Sequence, residues 1–271
     1  MRRLGLLVAV IGLFGLGLAC CGKSPSREPP PAPATRIPVL PDAITNRLGT
    51  IGLAVAIDFS AAGVKQLFDG PNAPATCAHD LIVHVRDAVA TVGDGGWQGI
   101  VDGVPEAATR ACLTLLGVTS REGSDGDALV VDLAGKQLAV RWRGDIATLR
   151  ELGSEERHGE VPDVMKDQIA KVPRRVAAWL ATSGLPDYKV TGAVGWLEVD
   201  PKQWKLTINA DGATPTAAKA WIDTLVRGFS VALASRHVVV EGAWFDVTTV
   251  APASAKLVAT IPVDALGGSG S

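Results

Sequence analysis

The opening nineteen residues set the terms for the rest of the chain. Arg2 and Arg3 precede Leu4 to Ala19, an apolar run without a charge, and together they read as a secretory signal. A membrane-spanning helix is the rival reading. It needs ~20 apolar residues, whereas this run is shorter and carries Gly5, Gly12, Gly15 and Gly17. The folded part is therefore expected beyond residue 19, in an oxidising compartment where disulfides persist.

The run ends in Leu16-Gly17-Leu18-Ala19-Cys20-Cys21. This resembles the lipobox of bacterial lipoprotein signal peptides, in which a peptidase cuts before a cysteine that already carries a lipid. The resemblance implies lipidation at Cys20, because a cut there leaves Ala19 in front of it, whereas a cut before Cys21 would leave Cys20. The partner it implies is the membrane, held through that lipid. No Asp stands at the second mature position, which under the sorting rule of enteric bacteria implies the outer membrane. Gly22 to Pro38 holds six prolines and few apolar side chains, so it reads as a spacer, able at ~3.1 Å per residue to hold the body ~50 Å from the membrane.

Hydrophobic residues make up 47% of the 271, enough to bury one large core or two small ones. Loss of Arg2 and Arg3 with the signal leaves 24 basic residues against 28 acidic, and that balance offers no footprint for nucleic acid. With Cys20 lipidated, three cysteines remain. The economical pairing is Cys77 with Cys112, which leaves Cys21 beside the anchor and stabilises the fold by ~3–4 kcal/mol in the chain-entropy model.

Along the body, Ile51 to Asp58 reads as a strand, with a short helix from Ser60 to Asp69. The second part of Leu81 to Val92 reads as a strand returning through Gly93-Asp94-Gly95-Gly96 to Trp97–Asp102. Pro105 opens a helix that Gly117 closes. On it Ala108, Ala111, Cys112, Leu115 and Leu116 form a stripe expected to be buried. Ala128 to Leu133 and Lys136 to Arg143 read as strands, Asp145 to Leu152 as a short helix, and Val161 to Val172 and Val176 to Leu180 as two further helices. Val190 to Val199 and Gln203 to Ala210 form a hairpin. Thr214 and Pro215 then start the strongest helix, with Ala218, Trp221, Ile222, Leu225, Val226 and Phe229 on one face, and strands follow at Val238 to Val250 and Lys256 to Ile261.

Trp97 to Val118 and Trp204 to Val226 share an order of Trp-led strand, Asp-Gly and Pro-started helix, which suggests an internal repeat. The expected fold class is α+β: antiparallel sheets covered by helices in two related hairpin-plus-helix modules. Residues 39–153 and 154–266 are the expected modules, after a signal at 1–19 and a lipidated linker at 20–38, with a tail at 267–271. The stretch Ala54 to Phe68, AVAIDFSAAGVKQLF, and the cysteine ahead of the hairpin resemble a family of tandem α/β-module bacterial lipoproteins. That resemblance implies no activity.

Chemistry is sparse. Cys77, His79, Asp80, His84 and Cys112 crowd together, but Cys-x-His is a poor zinc spacing and a disulfide would consume the sulfurs. No metal or other cofactor is expected. Asp125-Gly126-Asp127 lacks the downstream Glu of a calcium loop, and no serine sits in a Gly-x-Ser-x-Gly elbow. Glu106, Glu160, Glu198 and Glu241 are the open candidates for a paired-carboxylate site, and Trp196 with Trp204 for a sugar- or lipid-facing patch. The expected function is a non-catalytic binding or accessory role in the envelope, toward an envelope protein or ligand. A carrier of an apolar ligand and a cell-wall hydrolase are the alternatives.

Overall fold

Short strands with apolar residues at every second position dominate the body, and they join into a single sheet. The computed structural model describes residues 52–61, 64, 76–93, 96–123, 128–133, 136–153, 161–173, 176–234, 239–251 and 253–266. The strands are β1 (Gly52–Asp58), β2 (Asp87–Gly93), β3 (Gly96–Asp102), β4 (Ser120–Glu122), β5 (Leu129–Leu133), β6 (Lys136–Arg143) and β7 (Ile146–Glu151). They continue with β8 (Ala178–Thr182), β9 (Val190–Val199), β10 (Gln203–Gly212), β11 (Phe245–Ala251) and β12 (Ser254–Pro262). All twelve belong to one sheet in the order β11-β12-β10-β9-β8-β1-β2-β3-β7-β6-β5-β4, and the β1–β8 pairing at its centre is antiparallel like the rest. The helices are α1 (Thr76–His84), α2 (Glu106–Leu115), α3 (Asp163–Ile169), α4 (Ala217–Ala234) and α5 (Val263–Leu266).

This overturns the expected α+β arrangement of separate antiparallel sheets covered by helices in two modules. One continuous sheet dominates, and the expected modules would share it. The strand path nevertheless runs alike on both sides of the centre. A meander β1-β2-β3 is followed by α2 and by strands whose last, β7, returns beside β3; likewise β8-β9-β10 is followed by α4 and by β11 and β12, the latter beside β10. The two stretches compared in the sequence are the third meander strand and the helix in each half.

Two expected helices are strands, and the reason is local ambiguity. Ile146–Glu151 is too short for its period to decide; as β7 it pairs with both β3 and β6, which satisfies its backbone on both sides. Ala178–Thr182 is an apolar run that reads equally as a buried helix or a central strand. Lying between β1 and β9, it buries both of its faces. The helix expected from Ser60 lies largely outside the described residues, as do the signal, the linker, the join at 154–159 and the tail.

Cross-strand registry defines two faces. On the front, Leu129, Val140, Leu149, Gly99, Ala90, Val55, Leu180, Gly195, Ile208, Leu257 and Val247 form one row across eleven strands, and none is charged. Helix α4 covers the C-terminal part of that face, seating Ala218, Trp221, Ile222 and Leu225 on Ala193, Ile208, Ala210 and Leu257. Its other side is solvated, with a Lys219–Asp223 pair at 2.7 Å. On the back, α3 places fully buried Met165 against Ala54, Ala56, Trp179, Ala181 and Val194. A polar clasp fixes it there: Gln168 Nε2 donates to Asp211 Oδ2 at 2.7 Å, and Ser254 Oγ donates to Oδ1 at 2.7 Å. Burial pushes the Asp211 carboxyl up, but these bonds and the Lys171 ammonium outweigh it and hold the group below its ordinary range.

Candidate functional site

The front face of the N-terminal half is less well covered. Of the residues in α2 only Cys112 is buried; Leu115 is 77% exposed and Leu116 45%. The stripe expected to face the core is thus turned largely to solvent. The reason is that α2 touches the sheet cluster of Leu129, Val131, Leu138, Val140 and Ala147 mainly through Leu113. Its attachment is covalent as well: Cys77 on α1 and Cys112 are joined by a disulfide, with the two Cα atoms 5.3 Å apart.

Between α2 and the part covered by α4, the described residues of the sheet form an apolar trough of about 190 Å³. Its floor is made by small residues in register, Ala90 opposite Gly99 and Ala88 opposite Val101. Its walls are Val55, Ile57, Trp97, Leu138 and Leu149. The nearest atoms a Cβ added at Gly99 would meet are the Val89 carbonyl oxygen at 3.3 Å and two Ala90 carbon atoms, at 3.7 and 3.9 Å. Among the described residues no large side chain comes closer to that point. At one rim the Glu151 carboxylate accepts from the Trp97 backbone N–H at 3.0 Å and pairs with Lys136, which ties β3 to β6 and β7. The lining is almost wholly hydrocarbon. It suits an alkyl or aromatic group and offers no acid, base or nucleophile.

The expected chemistry is dispersed. Glu106 pairs with Arg110 on α2, Glu198 with Lys205 across β9 and β10, and Glu241 precedes β11, so these carboxylates sit on separate elements. Glu160 and the Asp125-Gly126-Asp127 turn lie outside the described residues. The disulfide takes both sulfurs of the conceivable zinc set, and among the described residues no three His, Cys, Asp or Glu side chains gather as metal ligands. Trp196 and Trp204 form no patch. Registry puts Trp196 opposite Thr207 and Trp204 opposite Val199, three residues from one another along the pairing, so they face opposite sides and join different clusters.

One acidic row escaped sequence reasoning. Asp58, Asp87 and Asp102 stand directly opposite one another at the ends of β1, β2 and β3. Burial, then the charges of Asp102 and Asp58, push the Asp87 carboxyl up. A hydrogen bond from Arg86, whose Nε lies 2.7 Å from Asp102 Oδ2, pulls Asp102 down. Only strand registry brings these three together, and no spacing in the chain signals it.

No family model and no curated protein matches the chain. Among solved structures it is similar to TP0453 in several crystal forms. Form I aligns at 10% identity with a TM-score of 0.44, covering 79% of this chain and 90% of that one. Form III gives 10% and 0.47, covering 83% and 97%.

Proposed function

We propose that this protein is a lipid-anchored component of the bacterial envelope, outer membrane included, whose role is non-catalytic and consists in binding an apolar group. The lipobox at Leu16 to Cys21 supports the anchor. The observation that carries the binding role is the trough of about 190 Å³ lined by Val55, Ala90, Trp97, Gly99 and Leu149. Sites for drug-sized ligands run from roughly 300 to 1,000 Å³, so the trough takes one alkyl or aromatic moiety. A carrier that encloses a whole lipid would need more room. Burying even a few methylenes there contributes about 0.8 kcal/mol each, enough for weak, reversible capture.

Calorimetric titration with a medium-chain alcohol tests the binding role. Saturable binding with a negative heat-capacity change is expected, lost in Ala90→Leu, whose side chain fills the trough. Equal binding by the filled variant would contradict the assignment. Separately, Cys20→Ala should abolish lipid attachment, and incorporation of labelled palmitate into that variant would refute Cys20 as the anchor.

A further inference from the structure

The two edges of the sheet are built differently. At one, β4 is three residues long, all exposed, and two of them are Arg121 and Glu122; short, charged edges are how sheets avoid further pairing. At the other, β11 is seven residues, Phe245-Asp246-Val247-Thr248-Thr249-Val250-Ala251, with four β-branched side chains and a single charge. Its register with β12 is regular from Phe245 to Thr249, and the irregularity falls only at the hairpin end, between Thr249 and Ala251. Among the described residues no strand pairs with its outer side. Val250 on this strand is 66% exposed. The front-face apolar row also ends differently at the two edges. On β4 the next position is Glu122, opposite Leu129, whereas at the other end the row stops on Val247.

We infer that β11 is a pairing edge and that its occupant is the β11 of a second copy of this chain, joined antiparallel about a twofold axis perpendicular to the sheet. Such an axis pairs a central residue with itself and keeps like faces together. The five regular residues centre on Val247. Val247 then meets its symmetry mate, Asp246 meets Thr248, and Phe245 meets Thr249. No like charges are opposed, and Asp246 gains a hydroxyl partner. The same operation on β4 would set Arg121 directly against Arg121, which disfavours pairing. The joint continues the apolar row through Val247 into the second copy. It places both troughs on one side of the assembly, with two anchors holding one body, which lengthens residence on a membrane without any new contact.

Directly opposed Cβ atoms lie roughly 4.5–5.5 Å apart, closer at non-hydrogen-bonded positions, near disulfide range. The test is oxidative crosslinking of the full chain in isolated bacterial envelopes, in a Cys21→Ser background so that the thiol beside the anchor does not contribute. Val247→Cys should shift most of the chain to twice its mass on a non-reducing gel, and Thr249→Cys, two residues along the same face, should leave it monomeric. The double variant Asp246→Cys/Thr248→Cys changes only exposed positions, so it reads the same register should Val247→Cys fail to accumulate, and it too should give dimer. Absence of dimer from both variants, or equal crosslinking at 247 and 249, would overturn the proposal.

Discussion

The two halves of the sheet follow the same path and cover it by different means. In the C-terminal half the eighteen-residue α4 lies along the sheet and seals it with Trp221, Ile222 and Leu225. In the N-terminal half the corresponding α2 has ten residues, buries only Cys112, and is attached through a disulfide. Two glycines in the same apolar row differ in their sheet neighbours. A Cβ on Gly195 would meet Ile208 Cγ1 at 3.2 Å and Leu180 Cγ at 3.6 Å, side chains of the strands on either side. At Gly99 the nearest atoms among the described residues are the Val89 carbonyl oxygen and the small Ala90, and there the trough remains. Helix α4 covers its half by packing, whereas α2 is held by a crosslink and the trough lies beside it.

The largest effect that would break this contrast is at the seals themselves. Trp221 is 4% exposed and Leu115 is 77% exposed, so Trp221→Ala should cost about 3–5 kcal/mol in denaturant unfolding, and Leu115→Ala within about 0.5. Similar costs would mean that α2 is packed as α4 is. Next in size, Cys112→Ala should cost about 3–4 kcal/mol by opening a loop of sequence separation 35. Amide exchange should show α2 losing protection while α4 keeps its own. A smaller difference sharpens the comparison further. Ala210, 1% exposed beneath α4, has no room for a larger side chain, so Ala210→Leu should cost about 1–3 kcal/mol, whereas Ala90→Leu in the trough should stay within about 0.5.

The smallest expected effect is electrostatic. The Asp87 carboxyl is held above its ordinary range, so its charge lowers stability above that raised folded value, and the cost disappears as pH falls through it. Asp102 and Asp211, held below their ordinary range, contribute stability that is present above the unfolded carboxylate pKa and lost as pH falls through their lowered values. Asp87→Asn should therefore raise Tm slightly at neutral pH and remove the gain on mild acidification. A lowered neutral Tm would contradict the repulsive row at the ends of β1 to β3.

What could be read in the sequence depended on how local the signal was. The β9–β10 hairpin and α4 stand where periodicity puts them, because each is long enough for its period to be unambiguous and its apolar face does meet the core. Ile146–Glu151 and Ala178–Thr182 are too short for that, and neighbouring strands settled their form. The α2 stripe was legible as a pattern, yet burial depends on what lies opposite: of the stripe only Cys112 is buried, and it is the neighbouring Leu113 that packs on the sheet cluster. The trough was not legible at all. Ala88, Ala90 and Gly99 are ordinary small residues until registry sets them side by side under Trp97 and Leu149. The single sheet hinges on the β1–β8 pairing, a contact between residues more than a hundred positions apart.

The claim that the open N-terminal half holds an apolar group is tested most directly by photolabelling the full chain in isolated envelopes with a diazirine-bearing medium-chain alcohol, then mapping the adducts by mass spectrometry. Labels should concentrate on the segments containing Val55, Ala90, Trp97 and Leu149, and Ala90→Leu should remove them. Labels that fall instead on the strands beneath α4, or that persist at the trough once it is filled, would contradict it.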